Sequence, residues 1–180
     1  MLHRIFIAIN LPESVKTELF SYQKKWPGLP ARWIKPENMH ITLVFYGNAS
    51  DKEVEEIATT AKDIAKKHKT FTLKLSNIVY GPTTSQPRML WAAGETSKEL
   101  LSLQKDLGTA LGRLEKREFS LHLTLARFRE WEFQRMEAAE RPEVNEEISL
   151  EIPVHSIEIM ESTLKRGGAE YTICESISLV

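Results

Sequence analysis

The sequence predicts a single α+β domain, residues 1–180, built from two halves that follow a similar plan. Three observations predict this fold class. Patterns typical of strands and helices alternate along the chain without a linker. A capping box that opens a helix occurs once in each half, at Ser50–Glu53 and at Thr96–Glu99. The tetrapeptide His-x-Thr-Leu also occurs once in each half, at His40–Leu43 and His122–Leu125, which indicates a pseudo-two-fold duplication.

The first half of the chain carries patterns for three strands and two helices. Residues 1–10 are predicted to form a strand, because their apolar run is too short for a membrane span and no small-residue cleavage site follows it. Apolar residues at three- and four-residue spacing predict a helix from Pro12 to about Lys25. The other predicted elements are strands at Arg32–Lys35 and Met39–Phe45, a turn at Pro36–Asn38, and a helix from the first capping box to about His68.

The second half repeats this plan and adds strands at its end. A helix follows the second capping box and is predicted to bury Leu100, Leu103, Leu107, Leu111 and Leu114. The charged stretch Glu130–Glu147 is predicted to be a short helix with loops, and Lys165-Arg166-Gly167-Gly168 a hairpin turn. The predicted strands are Thr70–Tyr80, Met89–Gly94, about Phe119–Phe128, Ile148–Ile152, Val154–Thr163 and Tyr171–Ser178.

The composition is that of a globular protein and excludes several classes. Hydrophobic residues make up 42%, and no apolar run approaches the ~18 residues of a membrane span. The sequence shows no targeting signal, so a cytoplasmic location is expected. The net charge of −1 argues against binding to a long nucleic-acid tract, since such proteins carry a basic excess. The single cysteine, Cys174, allows no internal disulfide and is expected to be a small buried group.

The two tetrapeptides place a titratable group and a hydroxyl on one face of a strand. Side chains alternate between the faces of a strand, so His40 and Thr42 share a face while Ile41, Leu43 and Phe45 point to the other and anchor the strand. The second motif repeats this arrangement. Rigid placement on a packed strand is what a catalytic group needs.

Two such motifs suit acid–base chemistry at phosphorus. If a pseudo-two-fold axis relates the halves, His40 and His122 lie on facing strands across a cleft. One neutral imidazole can then accept a proton from the attacking oxygen while the other, protonated, donates to the leaving oxygen. A pKa of about 6.5 populates both forms near neutrality. Thr42 and Thr124 can donate to the phosphate oxygens. This symmetric reasoning leaves open which histidine is the acid.

No catalytic metal or other cofactor is expected. A zinc site requires three or four converging His, Cys or carboxylate ligands, and the threonines of the motifs are poor substitutes. The sequence also has no phosphate-binding Walker loop. A structural alternative stays open, in which the two motifs are duplicated strands whose histidines lie on the surface and have no catalytic role.

The two motifs resemble those of the two-histidine phosphoesterase superfamily, and within it the RNA 2′,3′-cyclic phosphodiesterases, historically called 2′-5′ RNA ligases. The resemblance extends along the whole chain. Its segments are Arg4–Pro12, Trp33–Leu43 with Phe45 and Gly47, Pro87–Trp91, His122–Arg127, and Glu161-Ser162 with Leu164, Gly168 and Tyr171. The resemblance implies a bilobal α+β fold, each lobe an antiparallel sheet with helices outside and the active-site cleft between the lobes.

The resemblance also implies roles for the site residues. His40 would donate a proton to the departing 3′-oxygen, His122 would be the base that activates water, and the product would carry a 2′-phosphate. The chain departs from the family in having Leu121 where a proline often precedes the second motif. The family's phosphate-binding arginine corresponds to Arg127. In a regular strand Arg127 lies on the face opposite to that of His122 and points away from the cleft. A bulge, or the end of the strand, is needed for it to point into the cleft.

Several functions remain open at this point. The expected one is hydrolysis of cyclic phosphates on RNA ends or small nucleotides by a monomer, with weak 2′-5′ ligation as the reverse reaction. The same chemistry on 2′-5′ linkages or on a cyclic phosphate of ADP-ribose is an alternative. A binding module for RNA ends without turnover and a protein-interaction domain are others. We expect three aromatic residues either to stack on a base or to pack in the core: Trp33, Phe6 and Tyr46. We expect the remaining histidines to be structural or solvent-facing: His3, His68 and His155.

Overall fold

The computed structural model describes residues 1–166 and 168–180. The strands are β1 (Leu2–Asn10), β2 (Ala31–Trp33), β3 (His40–Ser50), β4 (Phe71–Gly81), β5 (Met89–Ala93), β6 (His122–Phe128), β7 (Asn145–Val154), β8 (Ser156–Lys165) and β9 (Gly168–Ser178). The α-helices are α1 (Glu13–Ser21), α2 (Asp51–Ala65), α3 (Lys98–Ala110) and α4 (Glu130–Arg135), and 3₁₀ turns occupy Tyr22–Lys25, Pro36–Asn38 and Ala138–Glu140.

The strands form two antiparallel sheets, which confirms the predicted α+β class and its two lobes. The first sheet has the order β3-β1-β8-β9, and the second has the order β2-β6-β5-β4-β7. Each sheet therefore combines segments from both halves of the chain. The C-terminal hairpin completes the sheet that carries the first motif, and β2 joins the sheet that carries the second.

The strand β1 is buried on both faces over Ile5–Ile9, and this explains its apolar run. Ile5, Ile7 and Ile9 point into the main core shared with the helices. The alternate residues Phe6 and Ala8 form a small second cluster with Met160 on the opposite face. Because both faces of β1 are buried, the strand reads as continuous apolar sequence rather than as an alternating pattern.

The two predicted capping boxes have different outcomes. The first is confirmed, since the Glu53 backbone N–H donates to Ser50 Oγ and the Ser50 N–H donates to a Glu53 carboxylate oxygen. The second is wrong. Ser97 caps α3 by accepting from the Leu100 N–H, while Thr96 Oγ1 accepts from the Leu121 N–H at 2.8 Å. Thr96 thus ties the entry of β6 to the start of α3.

Several predicted boundaries also shift. α3 ends at Ala110, so Leu114 is 58% exposed instead of buried. β6 begins at His122 rather than at Phe119, and β7 is longer than the predicted Ile148–Ile152. The predicted hairpin turn includes Gly167, which lies outside the described residues. No helix in the described parts of the chain is long and apolar enough to cross a membrane.

Cys174 is exposed, contrary to the prediction that it is buried. In the pairing of β8 with β9, Ile159 lies opposite Glu175 and Met160 opposite Ile173, so Cys174 is the extra residue of a β-bulge. A bulge residue leaves the regular alternation of faces. The alternating sequence pattern therefore misplaced this side chain.

Equivalent bulges interrupt both His-x-Thr-Leu strands. In β3, Thr42 pairs with Ala8 and Val44 with Ile7, so Leu43 is the extra residue. In β6, a similar shift between Leu90 and Trp91 of the partner strand leaves Leu125 extra. Each bulge lies three residues after its histidine, and beyond it the side chains change faces. Phe45 and Arg127, each five positions after a histidine, therefore lie on the opposite face of the strand from the one predicted.

Candidate active site

One cavity of ≈ 200 Å³ lies between the two sheets and collects the residues that the motifs single out. His40 and Thr42 of β3 line it from the first sheet. His122, Thr124 and Arg127 of β6 line it from the second. The bulges explain two of its residues. Arg127 is turned toward the cavity, and Phe45, predicted to anchor the strand on the core side, is 43% exposed and also lines the cavity.

His40 is held by its backbone neighbour and by two aromatic rings. Its Nδ1 lies 2.8 Å from the carbonyl oxygen of Asn38, and its Nε2 lies 3.1 Å from Thr42 Oγ1. A carbonyl oxygen can only accept a hydrogen bond, so Nδ1 carries a proton and Nε2 is the nitrogen left for chemistry. The rings of Phe6 and Tyr171 each lie 4.9 Å from the imidazole, between centroids.

His122 repeats this arrangement on the second sheet. Its Nδ1 lies 2.8 Å from the carbonyl oxygen of Ser120, again two residues earlier in the chain. Nε2 is therefore the available nitrogen here as well. The indole of Trp91 stacks on the imidazole with a centroid distance of 4.0 Å and an interplanar angle of 24°. Both imidazoles thus have a fixed tautomer and a packed ring face.

Arg127 carries a charge with no acidic partner among the residues that the structure describes. Its Nη1 donates to the sulfur of Met89 at 3.3 Å, and Thr124 Oγ1 lies 4.0 Å from the same sulfur. A thioether is a weak acceptor that leaves most of the guanidinium free. An exposed guanidinium beside two imidazoles and two hydroxyls suits an anionic ligand with several oxygens, such as phosphate.

Comparison with known proteins identifies the family. The model of the LigT like Phosphoesterase family matches twice, at residues 9–91 and 92–171. The chain belongs to this family. It is 28% identical to the RNA 2′,3′-cyclic phosphodiesterase of Aquifex aeolicus, covering 82% of this chain and 81% of the relative. It is 26% identical to the enzyme of the same name from Methanocaldococcus jannaschii, covering 94% and 97%.

Solved structures share the fold of this phosphoesterase over its whole length. A crystal structure of a protein from Thermus thermophilus has a TM-score of 0.82 and 28% identity, covering 98% of this chain and 97% of the other. E. coli LigT complexed with 3′-AMP has a TM-score of 0.80 and 24% identity, covering 100% and 99%. The resemblance read from the sequence is confirmed, and the protein is an enzyme of the phosphoesterase class.

Burial lowers the pKa of both cavity histidines in the phosphoesterase. For His40 desolvation is the main cause, opposed by the hydrogen bond to the Asn38 carbonyl, and the positive charges of Arg127 and Lys16 lower the pKa further. For His122 desolvation again dominates and is opposed by the hydrogen bond to the Ser120 carbonyl. The cavity without substrate therefore favours two neutral imidazoles.

The cavity also contains residues that strand patterns did not assign to it. Arg4, Asn38, Ser162 and Tyr171 line it, and Arg4 lies over the Phe45 ring at 5.1 Å. They come from β1, from the turn before β3 and from the C-terminal hairpin, and only the family resemblance drew attention to those segments. Asn38 has a further role, because its side-chain N–H donates to the Ala169 carbonyl and ties the turn to β9.

Of the three aromatic residues considered as base-stacking candidates, only one borders the cavity. Phe6 is buried and also borders the cavity. Tyr46 lies outside the cavity, where the Arg113 guanidinium covers its ring at 4.3 Å. Trp33 borders a neighbouring groove instead.

The other three histidines do not line the cavity. His3 contacts Asp51 and Glu161, and these hydrogen bonds raise its pKa. His68 contacts Asp106 at 2.9 Å. His155 is exposed between β7 and β8. Within the described residues, no group of three or more His, Cys, Asp or Glu side chains is placed to hold a metal ion.

Proposed function

We propose that this phosphoesterase hydrolyses the 2′,3′-cyclic phosphate at the end of an RNA and leaves a 2′-phosphate. The observation that carries the proposal is the pair of imidazoles, one from each sheet, that present Nε2 to one cavity beside Arg127. The names of the Aquifex and Methanocaldococcus relatives support the substrate class. E. coli LigT, which shares the fold, is known in complex with 3′-AMP, a nucleotide with phosphate on the ribose.

In the proposed reaction, His122 is the base and His40 is the acid. Nε2 of His122 removes a proton from water, and the water oxygen forms a bond to phosphorus. The bond from phosphorus to the 3′-oxygen breaks, and Nε2 of His40 gives that oxygen its proton. General acid and base groups contribute about 10²–10⁴-fold each. With the 5′-hydroxyl of a second RNA in place of water, the same two proton transfers open the cyclic phosphate to a 2′-5′ diester, which is the chemistry of weak 2′-5′ ligation.

The surrounding side chains stabilise the charge that develops on the phosphate. Arg127, which has no acidic partner among the described residues, donates to the non-bridging oxygens, as do the hydroxyls of Thr42 and Thr124. We propose that no metal takes part, because the two imidazoles supply both proton transfers and the guanidinium supplies positive charge. The fixed Nδ1–H of each histidine keeps Nε2 aimed into the cavity without reorganisation during the reaction.

The test is hydrolysis of a short RNA that ends in a 2′,3′-cyclic phosphate, with EDTA present. His40→Ala and His122→Ala are each expected to lose about 10²–10⁴-fold in rate. His155→Ala is the matched control, because His155 is exposed and lies outside the cavity. A 2′-phosphate product that both cavity variants abolish supports the proposal, while loss of activity in EDTA contradicts the metal-free mechanism.

Two other results would redirect the proposal. Turnover of a 2′-5′ linkage or of a cyclic phosphate of ADP-ribose, without turnover of the RNA end, would keep the mechanism and change the substrate. Binding of the RNA end without any product at high enzyme concentration would favour a binding module. The cytoplasmic location, the monomeric state and the assignment of residues 1–180 to a single domain stay predictions from the sequence.

A further inference from the structure

A second groove of ≈ 560 Å³ opens directly from the cavity. The two share Ile34, Asn38, Arg127 and Tyr171 as lining residues. One wall of the groove is β2 with the segment that follows it, and the other is the start of β9. The hydrogen bond from Asn38 to the Ala169 carbonyl, 2.9 Å long, connects the two walls. A ligand held in the cavity can therefore continue into the groove.

Three cationic side chains line this groove. Arg32, Lys35 and Arg127 line it, and none has an acidic partner in the described ranges 1–166 and 168–180. These three cations outnumber the two lining glutamates, Glu37 and Glu170, and Glu170 is paired with Lys165. The groove thus has a positive charge in a protein whose net charge is −1. Such a local concentration of positive charge favours an anionic ligand.

The strand register brings two of these cations together. Arg32 of the edge strand β2 lies directly opposite Arg127 of β6. Directly opposite residues of an antiparallel pair share a face, with Cβ atoms about 4.5–5.5 Å apart, and like charges there are destabilising. Repulsion of this kind is relieved when an anion binds between or beside the two guanidinium groups. Arg127 already faces the cavity, so Arg32 provides the next cationic position outward along the groove.

Aromatic rings complete the groove. Trp33 and Tyr171 line it and are both half-buried. Arginine side chains for the backbone phosphates and aromatic rings for the bases are the two components of single-stranded nucleic-acid sites. Neither component requires a particular base sequence.

We propose that this groove binds the RNA strand upstream of the cyclic phosphate, with Arg32 contacting a backbone phosphate. The inference rests on the proposed function and adds that the substrate is an oligonucleotide end rather than a free nucleoside cyclic phosphate. It is also consistent with the low net charge, because only the last few nucleotides are held. Arg32 is a binding residue for the strand and takes no part in the proton transfers.

The test compares three substrates with the same terminal base. They are a nucleoside 2′,3′-cyclic phosphate, a dinucleotide and a tetranucleotide, each ending in the same cyclic phosphate. Wild-type kcat/KM is expected to be roughly tenfold higher for the tetranucleotide than for the nucleoside, which corresponds to about 1.4 kcal/mol. Arg32→Ala is expected to reduce that ratio toward one, through KM. Arg32→Lys should retain part of the preference, because a lysine keeps the charge without the planar fork.

A matched control separates the groove from general charge effects. Lys105→Ala removes one exposed positive charge on α3, away from the cavity and the groove, and should leave the ratio unchanged. Equal wild-type kcat/KM values for the nucleoside and the tetranucleotide would overturn the inference. So would an Arg32→Ala variant that loses activity equally on all three substrates.

Direct binding distinguishes failure of this inference from failure of the proposed function. The probe is a fluorescent tetranucleotide that ends in a 2′-phosphate, titrated at several salt concentrations. Arg32→Ala should weaken binding and reduce the salt slope by about 0.7, the value for one single-strand phosphate contact. If the wild type hydrolyses none of the cyclic substrates, the proposed function fails, and this slope alone decides the groove. An unchanged slope refutes the inference even if hydrolysis is observed.

Discussion

Replacing Gly81 by alanine tests whether Trp91 positions the imidazole of His122. An ideal Cβ at Gly81 would lie 2.3 Å from Cδ2 of Trp91 and 2.7 Å from two further ring carbons. β5, which carries Trp91, lies between β4 with Gly81 and β6 with His122. An indole pushed away from Gly81 therefore moves toward His122, on which it stacks with a centroid distance of 4.0 Å.

The structure sets the size of the effect. To reach ordinary van der Waals contact, the nearest ring carbon must move from 2.3 Å to at least 3.4 Å from the new methyl group. Misplacing a catalytic group by about 1 Å costs about 10²-fold in rate, or about 2.7 kcal/mol in the activation barrier. Overpacking of this kind also lowers the free energy of unfolding by about 1–3 kcal/mol. We expect Gly81→Ala to lose rate mainly in kcat, because the three atoms nearest the new methyl group all belong to Trp91 and none to Arg127, the residue proposed to bind phosphate.

The assay measures kcat and KM for a cyclic phosphate substrate together with thermal unfolding. Gly28→Ala is the control, since a Cβ at Gly28 meets nothing within 4 Å. The double variant Gly81→Ala/Trp91→Phe should recover part of the rate, because a smaller ring makes room for the methyl group. A folded Gly81→Ala variant with wild-type kcat would refute the idea that Trp91 positions His122.

Four further predictions concern protonation and the threonine hydroxyls. Hydrolysis needs one neutral and one protonated imidazole, and both pKa values are lowered from 6.5, so a plot of kcat/KM against pH should peak below 6.5; a peak above that value would contradict it. The lowered pKa values mean that His40 and His122 bind more protons in the unfolded chain than in the fold, so the free energy of unfolding should fall as the pH is lowered from 6.5 through the folded-state pKa values. Denaturant titrations check this in a His3→Ala background, because the raised pKa of His3 stabilises the fold below 6.5 and acts with the opposite sign; a free energy independent of pH would refute it. Thr42→Val and Thr124→Val should each lower kcat/KM by about tenfold, the worth of one hydrogen bond to a charged group, and Thr→Ser at the same positions should retain most of the rate. Inorganic phosphate should raise the pKa of His40 in an NMR titration, and a pKa that phosphate leaves unchanged would argue against an anion site beside it.

The elements with strong periodicity could be predicted from the sequence, and the sheet order could not. The apolar spacing of α2 and the capping box at Ser50 and Glu53 are local features, and both appear in the structure. That β2 pairs with β6 and that β8 pairs with β1 depends on contacts between residues far apart in the chain. No local pattern encodes such pairings, which are decided by how the faces of the sheets pack.

The residues of the site, too, could be predicted from the sequence only in part. The two histidines and two threonines could be selected from a repeated tetrapeptide, and all four line the cavity. Arg127 and Phe45 were placed on the wrong face by regular alternation. The residues that cause the difference, Leu43 and Leu125, are both buried and therefore look like ordinary members of an alternating strand. A one-residue insertion in the strand pairing leaves no mark in the local sequence and yet changes which side chains line the cavity.

The two motifs differ in the side chain that their equivalent bulges turn toward the cavity. Five residues after each histidine, the first motif presents Phe45 and the second presents Arg127 to the cavity. The charge of Arg127 acts across the cavity and lowers the pKa of His40, which lies on the other sheet. A phosphate bound to Arg127 compensates that charge and adds negative charge near His40, so it favours the protonated imidazole. Substrate binding would then create the proton donor where it is needed. This is a physical reason, beyond family resemblance, to propose His40 as the acid and His122 as the base.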